Sequence, residues 1–306
     1  MRLACTLCGI ELQNPVLAAS GTFAYGIEFA PLLDLNAVGG IIVKGLSAQP
    51  IPGNKPPRIW ETHGGMINSI GLQNIGVRSF VKDKLPQLRT YRTRIFANVF
   101  GYEPEQYLEV IRVLEDADGL AGYELNVSCP NTKHGGMFFS HDPALLSKLI
   151  ASVRRLNPKR PLIVKLSPNV TNIALIAKAA EEAGASAISL VNTFVSLAVD
   201  ARTRRPRIGA GFGGLSGPAI KPIALRMVHE TFRAVKIPVI GLGGIASGED
   251  AAEFLIAGAS AVQVGTASFW DPASVLRVAR ELDTFLEQQG VKSVGDLVGT
   301  LRFDAN

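Results

Sequence analysis

The sequence predicts an α/β protein of the (β/α)8 TIM-barrel class, and two observations carry this prediction. Short apolar runs rich in valine and isoleucine alternate eight times with longer amphipathic segments, which is typical of a parallel sheet covered by helices. Polar residues and glycines recur where these runs end, and in a barrel the carboxyl ends of the strands meet at one mouth. The alternative is a doubly wound open sheet. Because 306 residues suit one barrel, we expect a single domain over residues 1–306.

The eight predicted strands are short and apolar, and they are residues 15–19, 40–43, 95–99, 123–126, 161–166, 186–191, 238–242 and 261–264. The predicted helices are residues 28–35, 76–90, 104–117, 143–156, 172–183, 220–235, 249–257 and 272–288. Asp142 and Thr171 are the expected N-caps of two of them. An N-terminal hairpin is expected before the first strand. Residues 46–75 and 194–219 show no clear period and are predicted as long βα-loop insertions at the C-terminal face.

Composition excludes several classes of protein. Hydrophobic residues make up 47% of the chain and charged residues 19%, which indicates a compact globular protein. The net charge of +5 suits anionic small ligands, whereas the one dense basic cluster, Arg202 to Arg207, is explained as well by a solvated loop. No apolar run approaches the ~18 residues of a membrane span. We therefore expect a soluble cytoplasmic protein that binds neither nucleic acid nor membrane.

The chain has three cysteines, and this low, uneven number argues against a disulfide framework, in which cysteines pair. Cys5 and Cys8 have CxxC spacing, but no second pair accompanies them. We interpret them as two side chains of the N-terminal hairpin, and no metal site is predicted. Cys129 stands where a predicted strand breaks at Pro130. From this segment alone it is either a reactive thiol or a small buried apolar residue.

Polar side chains stand at the carboxyl ends of six predicted strands: Ser20, Lys44, Asn98, Asn126, Lys165 and Asn192. Core packing alone would not place lysines and asparagines there, so we interpret these positions as a functional site. Strand seven ends in Gly243-Gly244 and strand eight in Gly265-Thr266. Glycines at these two ends let backbone N–H groups approach an anion, which favours a phosphate-bearing cofactor over two ordinary tight turns.

Seven motifs together resemble the dihydroorotate dehydrogenases, and the resemblance covers nearly the whole chain. They are NSIGLQN at 68–74, ELNVSCPN at 124–131, VKLSPNV at 164–170, VNT at 191–193, GLSGPAIKP at 214–222, GLGGI at 241–245 and VGTA at 264–267. Cys129 is similar to the base of the soluble class 1 enzymes, since the membrane-bound class has serine there. KHGG at 133–136 and GLQN at 71–74 resemble the NAD-linked class 1B catalytic subunit and differ from the fumarate-using class 1A.

The resemblance implies one FMN per chain. The implied FMN contacts are Ser20, Lys44, Gly45, Asn98, Asn126, Lys165, Val191, Gly217, Gly243, Gly244, Gly265 and Thr266. The implied substrate contacts are Lys44, Asn68, Ser69, Ile70, Gly71, Leu72, Asn126, Asn131, Asn192 and Thr193. Many of these positions already stood out at the strand ends, but Gly217 did not.

The implied activity is the oxidation of dihydroorotate to orotate in pyrimidine (UMP) biosynthesis. The reaction removes a proton from C5 and a hydride from C6. The resemblance assigns the proton to Cys129 as general base and the hydride to N5 of FMN. Residues 127–142 are a candidate lid over this site.

The resemblance also implies partners. Class 1B enzymes are heterotetramers of two such subunits and two electron-transfer subunits that carry FAD and a 2Fe–2S cluster. This chain has too few cysteines for a cluster of its own, so a partner would pass the electrons to NAD+. A homodimer of this chain is implied as well.

Two other functions remain open from the sequence. One is the related flavin barrel of dihydropyrimidine dehydrogenase, which acts on uracil or thymine and usually has histidine where Asn131 stands. The other is a flavin-free phosphate-binding barrel that works as a lyase or isomerase, with Lys165 as a Schiff-base lysine.

Overall fold

The computed structural model describes residues 2–128 and 139–303, and within them parallel strands close into a barrel. The barrel strands, in chain order, are Val16–Ala18, Gly40–Ile42, Arg94–Val99, Gly122–Asn126, Leu162–Lys165, Ala187–Leu190, Val239–Leu242 and Ala261–Val264. Each strand pairs with the next, and the eighth pairs with the first, where Val262 lies opposite Val16. The predicted (β/α)8 barrel is therefore confirmed, and the open sheet is wrong.

The long helices lie close to their predicted positions, and they are Pro104–Glu115, Pro143–Arg155, Ile173–Glu182, Lys221–Ala234, Gly248–Ala257 and Ser274–Gln288. Asp142 caps its helix as predicted, and its carboxylate accepts from the backbone N–H of Ala144 at 2.7 Å. The predicted cap Thr171 is wrong. Asn172 is the cap, because it directly precedes the first helical residue and accepts from Leu175 N–H at 3.1 Å.

Two predicted helices differ from regular α-helices. Residues 28–35 form only the 3₁₀ turns Ile27–Phe29 and Leu35–Ala37, since Pro31 has no N–H to extend the first turn. The predicted helix at 76–90 is present as one uninterrupted helical run, made of Val77–Ser79, the π-helical Phe80–Lys84 and Leu85–Leu88. Pro86, just after the π-helical stretch, has no N–H to donate to a carbonyl of the preceding turn. Proline therefore prevents the first helix and accompanies a local change of winding in the second.

The two insertions are not irregular loops, as the sequence predicted, but share one antiparallel sheet. Its order is Phe194–Leu197, Phe212–Ser216, Gly65–Asn68 and Ile59–Thr62. The short pair Val199–Asp200 and Arg205–Pro206 extends the second insertion. These strands pair across more than a hundred residues of chain, which no local pattern reveals.

The arginine cluster lies on this second insertion. The Arg207 guanidinium stacks over the Trp60 ring at 4.3 Å from the ring centroid and lies 3.8 Å from the Asp200 carboxylate. Arg202, Arg204 and Arg205 are exposed. Three of the four arginines therefore have exposed side chains, and the fourth packs on Trp60.

The N-terminal hairpin, Cys5–Leu7 with Ile10–Leu12, closes the barrel end opposite the mouth. Leu7 and Leu12 pack against the inward side chains of the barrel, such as Phe96 and Ile163. Because the Arg94 guanidinium at the start of its strand bonds to the Glu11 carbonyl, the hairpin lies at the amino ends of the strands. Polar side chains can therefore converge only at the other end. No helix in the described parts of the chain is long and apolar enough to cross a membrane.

Candidate active site

A buried carboxylate lies inside the barrel, above the apolar layer. Glu124 in the fourth barrel strand has no exposed surface. Its Oε1 accepts from Asn98 Nδ2 at 2.7 Å and lies 3.6 Å from Lys165 Nζ. Its Oε2 accepts from Ser189 Oγ at 2.9 Å and from Gln263 Nε2 at 2.8 Å. Side chains of five strands thus meet at one carboxylate, because strand alternation points each of them inward.

Sequence reasoning found Asn98 and Lys165 at this centre but missed Glu124, Ser189 and Gln263. A signal for Glu124 was present. It stands two residues before Asn126 in a strand, so both side chains lie on the same face. An acidic residue inside a strand that is otherwise buried needs partners in the interior. No comparable signal marks Ser189, because serine is common in buried strands.

A second cluster lies at the mouth itself. Asn126 Oδ1 accepts from Ser128 Oγ at 2.8 Å and from Asn192 Nδ2 at 3.2 Å. Asn192 Nδ2 also bonds to Ser128 Oγ, and Asn192 Oδ1 accepts from the Thr193 N–H at 2.8 Å. The structure therefore joins the predicted residues of strands four and six into one network of amides.

The antiparallel sheet positions a third set of predicted residues beside Thr193. Asn68 lies opposite Gly214 in this sheet and donates to its carbonyl at 3.4 Å. The Thr193 side chain lies directly against Gly214, where no Cβ would fit. Asn68 and Thr193 therefore both lie against Gly214. The rest of this predicted segment, Ser69 to Leu72, follows on as partly exposed backbone, and Leu72 has a φ of 57°.

Lys44 lies at the end of the second barrel strand, and Arg58 of the first insertion is close enough to affect its pKa. Lys44 is half-buried, and burial, followed by the positive charge of Arg58, lowers its pKa. Next to it, Gly45 faces Asn98, since a Cβ at Gly45 would lie 2.9 Å from Asn98 Oδ1. Two cations close enough to affect each other create a positive potential that suits an anionic ligand.

Glycines line the ends of strands seven and eight. Gly243 and Gly244 have φ angles of 131° and 84°, and a Cβ at Gly244 would lie 2.9 Å from the Gly217 carbonyl oxygen. In the described residues, no protein acceptor takes the backbone N–H of Gly243, Gly244 or Gly265. Thr266 donates to Ser216 Oγ at 2.8 Å beside this group. Free backbone donors around glycines form a cradle of the kind that binds phosphate.

Of the remaining predicted residues, some lie at strand ends and others fall outside the described part of the chain. Ser20 follows the first strand and Val191 the sixth, and Val191 is buried beside Gly243. Cys129, Asn131 and most of the candidate lid at 127–142 lie outside the described residues. Within the described parts of the chain, no group of three or more histidine, cysteine, aspartate or glutamate side chains could hold a metal ion.

A closed barrel with polar side chains converging at the carboxyl ends of its strands has the architecture of a barrel enzyme. A family model described as Dihydroorotate dehydrogenase matches residues 2–286. The chain belongs to the dihydroorotate dehydrogenase family, so it is an oxidoreductase.

The full-length relatives carry names of this family, but their names differ in the class of enzyme. The chain is 69% identical, over 99% of both chains, to a protein of Solibacter usitatus named Putative dihydroorotate dehydrogenase A (fumarate). It is 51% identical, over 98% of both chains, to the Dihydroorotate dehydrogenase B (NAD(+)), catalytic subunit, of Citrifermentans bemidjiense. A protein of the same name from Pelobacter propionicus is 52% identical over 96% of this chain and 97% of its own. The catalytic subunits support the predicted class 1B branch, whereas the first relative carries a class A name.

The partly buried thiols of Cys5 and Cys8 should react slowly at neutral pH. Burial raises the pKa of each to about 11, and Cys8 Sγ donates to the Ser186 carbonyl at 3.3 Å. At pH 8 only about one thiol in a thousand would then be the reactive thiolate. We expect both thiols to react with a disulfide reagent far more slowly than glutathione does. Their rates should rise about tenfold per pH unit as the pH approaches 11. Rapid labelling at pH 8, measured by peptide mass spectrometry, would contradict this.

Proposed function

We propose that this chain oxidises dihydroorotate to orotate in the biosynthesis of UMP, as a single FMN-binding domain over residues 1–306 in the cytoplasm. The observation that carries the proposal is the single barrel mouth. There, the amides of Asn126 and Asn192, the cation of Lys44 and the glycine cradle all lie at the carboxyl ends of barrel strands. Membership of the dihydroorotate dehydrogenase family supports it.

The described residues fit FMN on two observations. The N–H groups of Gly243, Gly244 and Gly265, which no acceptor of residues 2–128 and 139–303 takes, suit its phosphate. The buried Asn98 Oδ1 has no partner among the described residues, as expected if a ligand supplies the donor. We propose that the FMN site consists of Ser20, Lys44, Gly45, Asn98, Asn126, Lys165, Val191, Gly217, Gly243, Gly244, Gly265 and Thr266. FMN, when bound, supplies the acceptor for the hydride from C6.

The protein's own groups then orient the substrate and remove its proton. Asn68, Asn126 and Asn192 offer amide donors and acceptors to the pyrimidine edge, and the positive potential around Lys44 favours its carboxylate. Ser69 to Leu72, Asn131 and Thr193 complete the proposed substrate site. Cys129 takes the C5 proton as a thiolate, and Lys44 and Lys165 are candidate sources of the positive charge that favours this thiolate. Fixing the substrate in one orientation lowers the entropic part of the barrier.

The electrons then leave through another chain. We propose that an electron-transfer subunit carrying FAD and a 2Fe–2S cluster passes them to NAD+, in a heterotetramer of two plus two that contains a homodimer of this chain. The names of the catalytic subunits from Citrifermentans and Pelobacter support a partner. The name of the Solibacter relative favours fumarate, so an assay with both acceptors on the purified native protein is needed.

The test of the substrate is an anaerobic visible spectrum before and after dihydroorotate is added. We expect a flavin band that bleaches with one equivalent of dihydroorotate and not with dihydrouracil, which lacks the carboxylate. A band that dihydrouracil bleaches instead would favour a dihydropyrimidine dehydrogenase. A chain that neither contains nor binds FMN would contradict the proposal.

A further inference from the structure

The Glu124 carboxylate joins buried side chains of the barrel interior to Asn98 and Lys165 near the strand ends. Its two oxygens receive three hydrogen bonds, and Lys165 lies beside one of them. An ionised carboxylate only accepts, so donors alone around it are the arrangement that satisfies it. The Lys165 side chain is only 6% exposed, so the pair is shielded from water.

This arrangement fixes what Asn98 and Lys165 present to a ligand. Because Asn98 uses its Nδ2 to donate to Glu124, its remaining group is the carbonyl oxygen, which has no partner among the described residues and lies beside Gly45. Were Glu124 a donor, the Asn98 amide would be free to turn over and present its NH2 instead. Lys165 is held by charge on the same side of the carboxylate as Asn98, at Oε1.

We propose that Glu124 is a positioning residue for the flavin. It orients Asn98 so that an acceptor faces the cofactor, and it holds the Lys165 ammonium in one place. This inference rests on the proposed FMN site and adds to it a residue that does not itself need to touch the flavin. It also explains why an acidic residue stands in an otherwise apolar barrel strand.

The test measures FMN binding, not turnover. The full chain is freed of flavin, and FMN is titrated back while the quenching of flavin fluorescence is followed. Glu124→Gln keeps the size of the side chain but removes its charge and one acceptor. We expect the Kd for FMN to rise at least about tenfold, as for the loss of a charged hydrogen bond. The matched control is Glu115→Gln, which disrupts another 3.6 Å ion pair, with Arg160, outside the barrel mouth. It should leave the Kd unchanged.

A double-mutant cycle separates positioning from general damage. Lys165→Met alone should also weaken FMN binding, and the double variant E124Q/K165M should bind FMN no worse than about the weaker single variant. The same result is expected with Asn98→Ala in place of Lys165→Met. If the fold-changes of the single variants multiply, Glu124 does not act through these residues and the inference is overturned.

The remaining outcomes are also decisive. Should E124Q fail to fold, Ser189→Ala removes only one of the three donors to Glu124 and should raise the Kd about threefold. An unchanged Kd there overturns the inference. If wild-type protein binds FMN tightly and E124Q does too, only the role of Glu124 falls. If wild-type protein does not bind FMN, both this inference and the proposed function fall.

Discussion

Replacing Cys129 by alanine should lower the rate of dihydroorotate oxidation by about 100- to 10,000-fold, the usual contribution of a general base. In the proposed mechanism the C5 proton then loses its acceptor, whereas the proposed substrate contacts Asn126 and Asn192 keep their mutual hydrogen bond. We therefore expect a large fall in kcat with little change in KM. The measurement is anaerobic stopped-flow reduction of the bound flavin by dihydroorotate.

The matched control is Cys8→Ala, which removes another of the three thiols of the chain. Cys8 belongs to the hairpin at the opposite end of the barrel, where its thiol donates to the Ser186 carbonyl. Its loss should leave flavin reduction unchanged within about twofold, as for most substitutions away from a site. If Cys129→Ala reduces flavin as fast as Cys8→Ala at neutral pH, Cys129 is not the base.

Replacing Lys165 by methionine should lower the free energy of unfolding by about 3 kcal/mol. Methionine fills a similar volume, so the loss comes from charge. Glu124 is fully buried, and without the ammonium the donors that face its negative charge in the described part of the chain are the neutral groups of Asn98, Ser189 and Gln263. The measurement is urea unfolding at neutral pH after FMN has been removed, so that cofactor binding does not contribute.

Lys178→Met is the matched control, because Lys178 is an exposed lysine on the helix that follows Lys165. Its loss should change the free energy of unfolding by less than about 0.5 kcal/mol. Equal effects of the two substitutions would mean that the buried ion pair contributes nothing to stability. In that case the Glu124 carboxylate would be satisfied by its three hydrogen bonds alone.

The local hydrophobic pattern was sufficient to predict the positions of the barrel strands and of most helices. Each barrel strand is a short apolar run bounded by glycine or polar residues, and the predicted ends lie within about two residues of the observed ends. The failures are local too. Pro31 interrupts a segment whose hydrophobic period is helical, and Asn172, not Thr171, lies where the N-cap must lie.

The sequence by itself determined the order of strands and helices, the strand ends that carry Lys44, Asn126 and Asn192, and the motifs of the family. Each of these features depends on residues that are close together in the sequence, so local sequence patterns are enough to predict it. Only the tertiary structure decided that the two insertions share a sheet. It also decided that Glu124 accepts hydrogen bonds from Asn98, Ser189 and Gln263 and pairs with the ammonium of Lys165. Closing the barrel joins its first and eighth strands and turns these residues toward one point. The physical reason is that a buried carboxylate requires partners, but only the closed barrel determines which strands supply them.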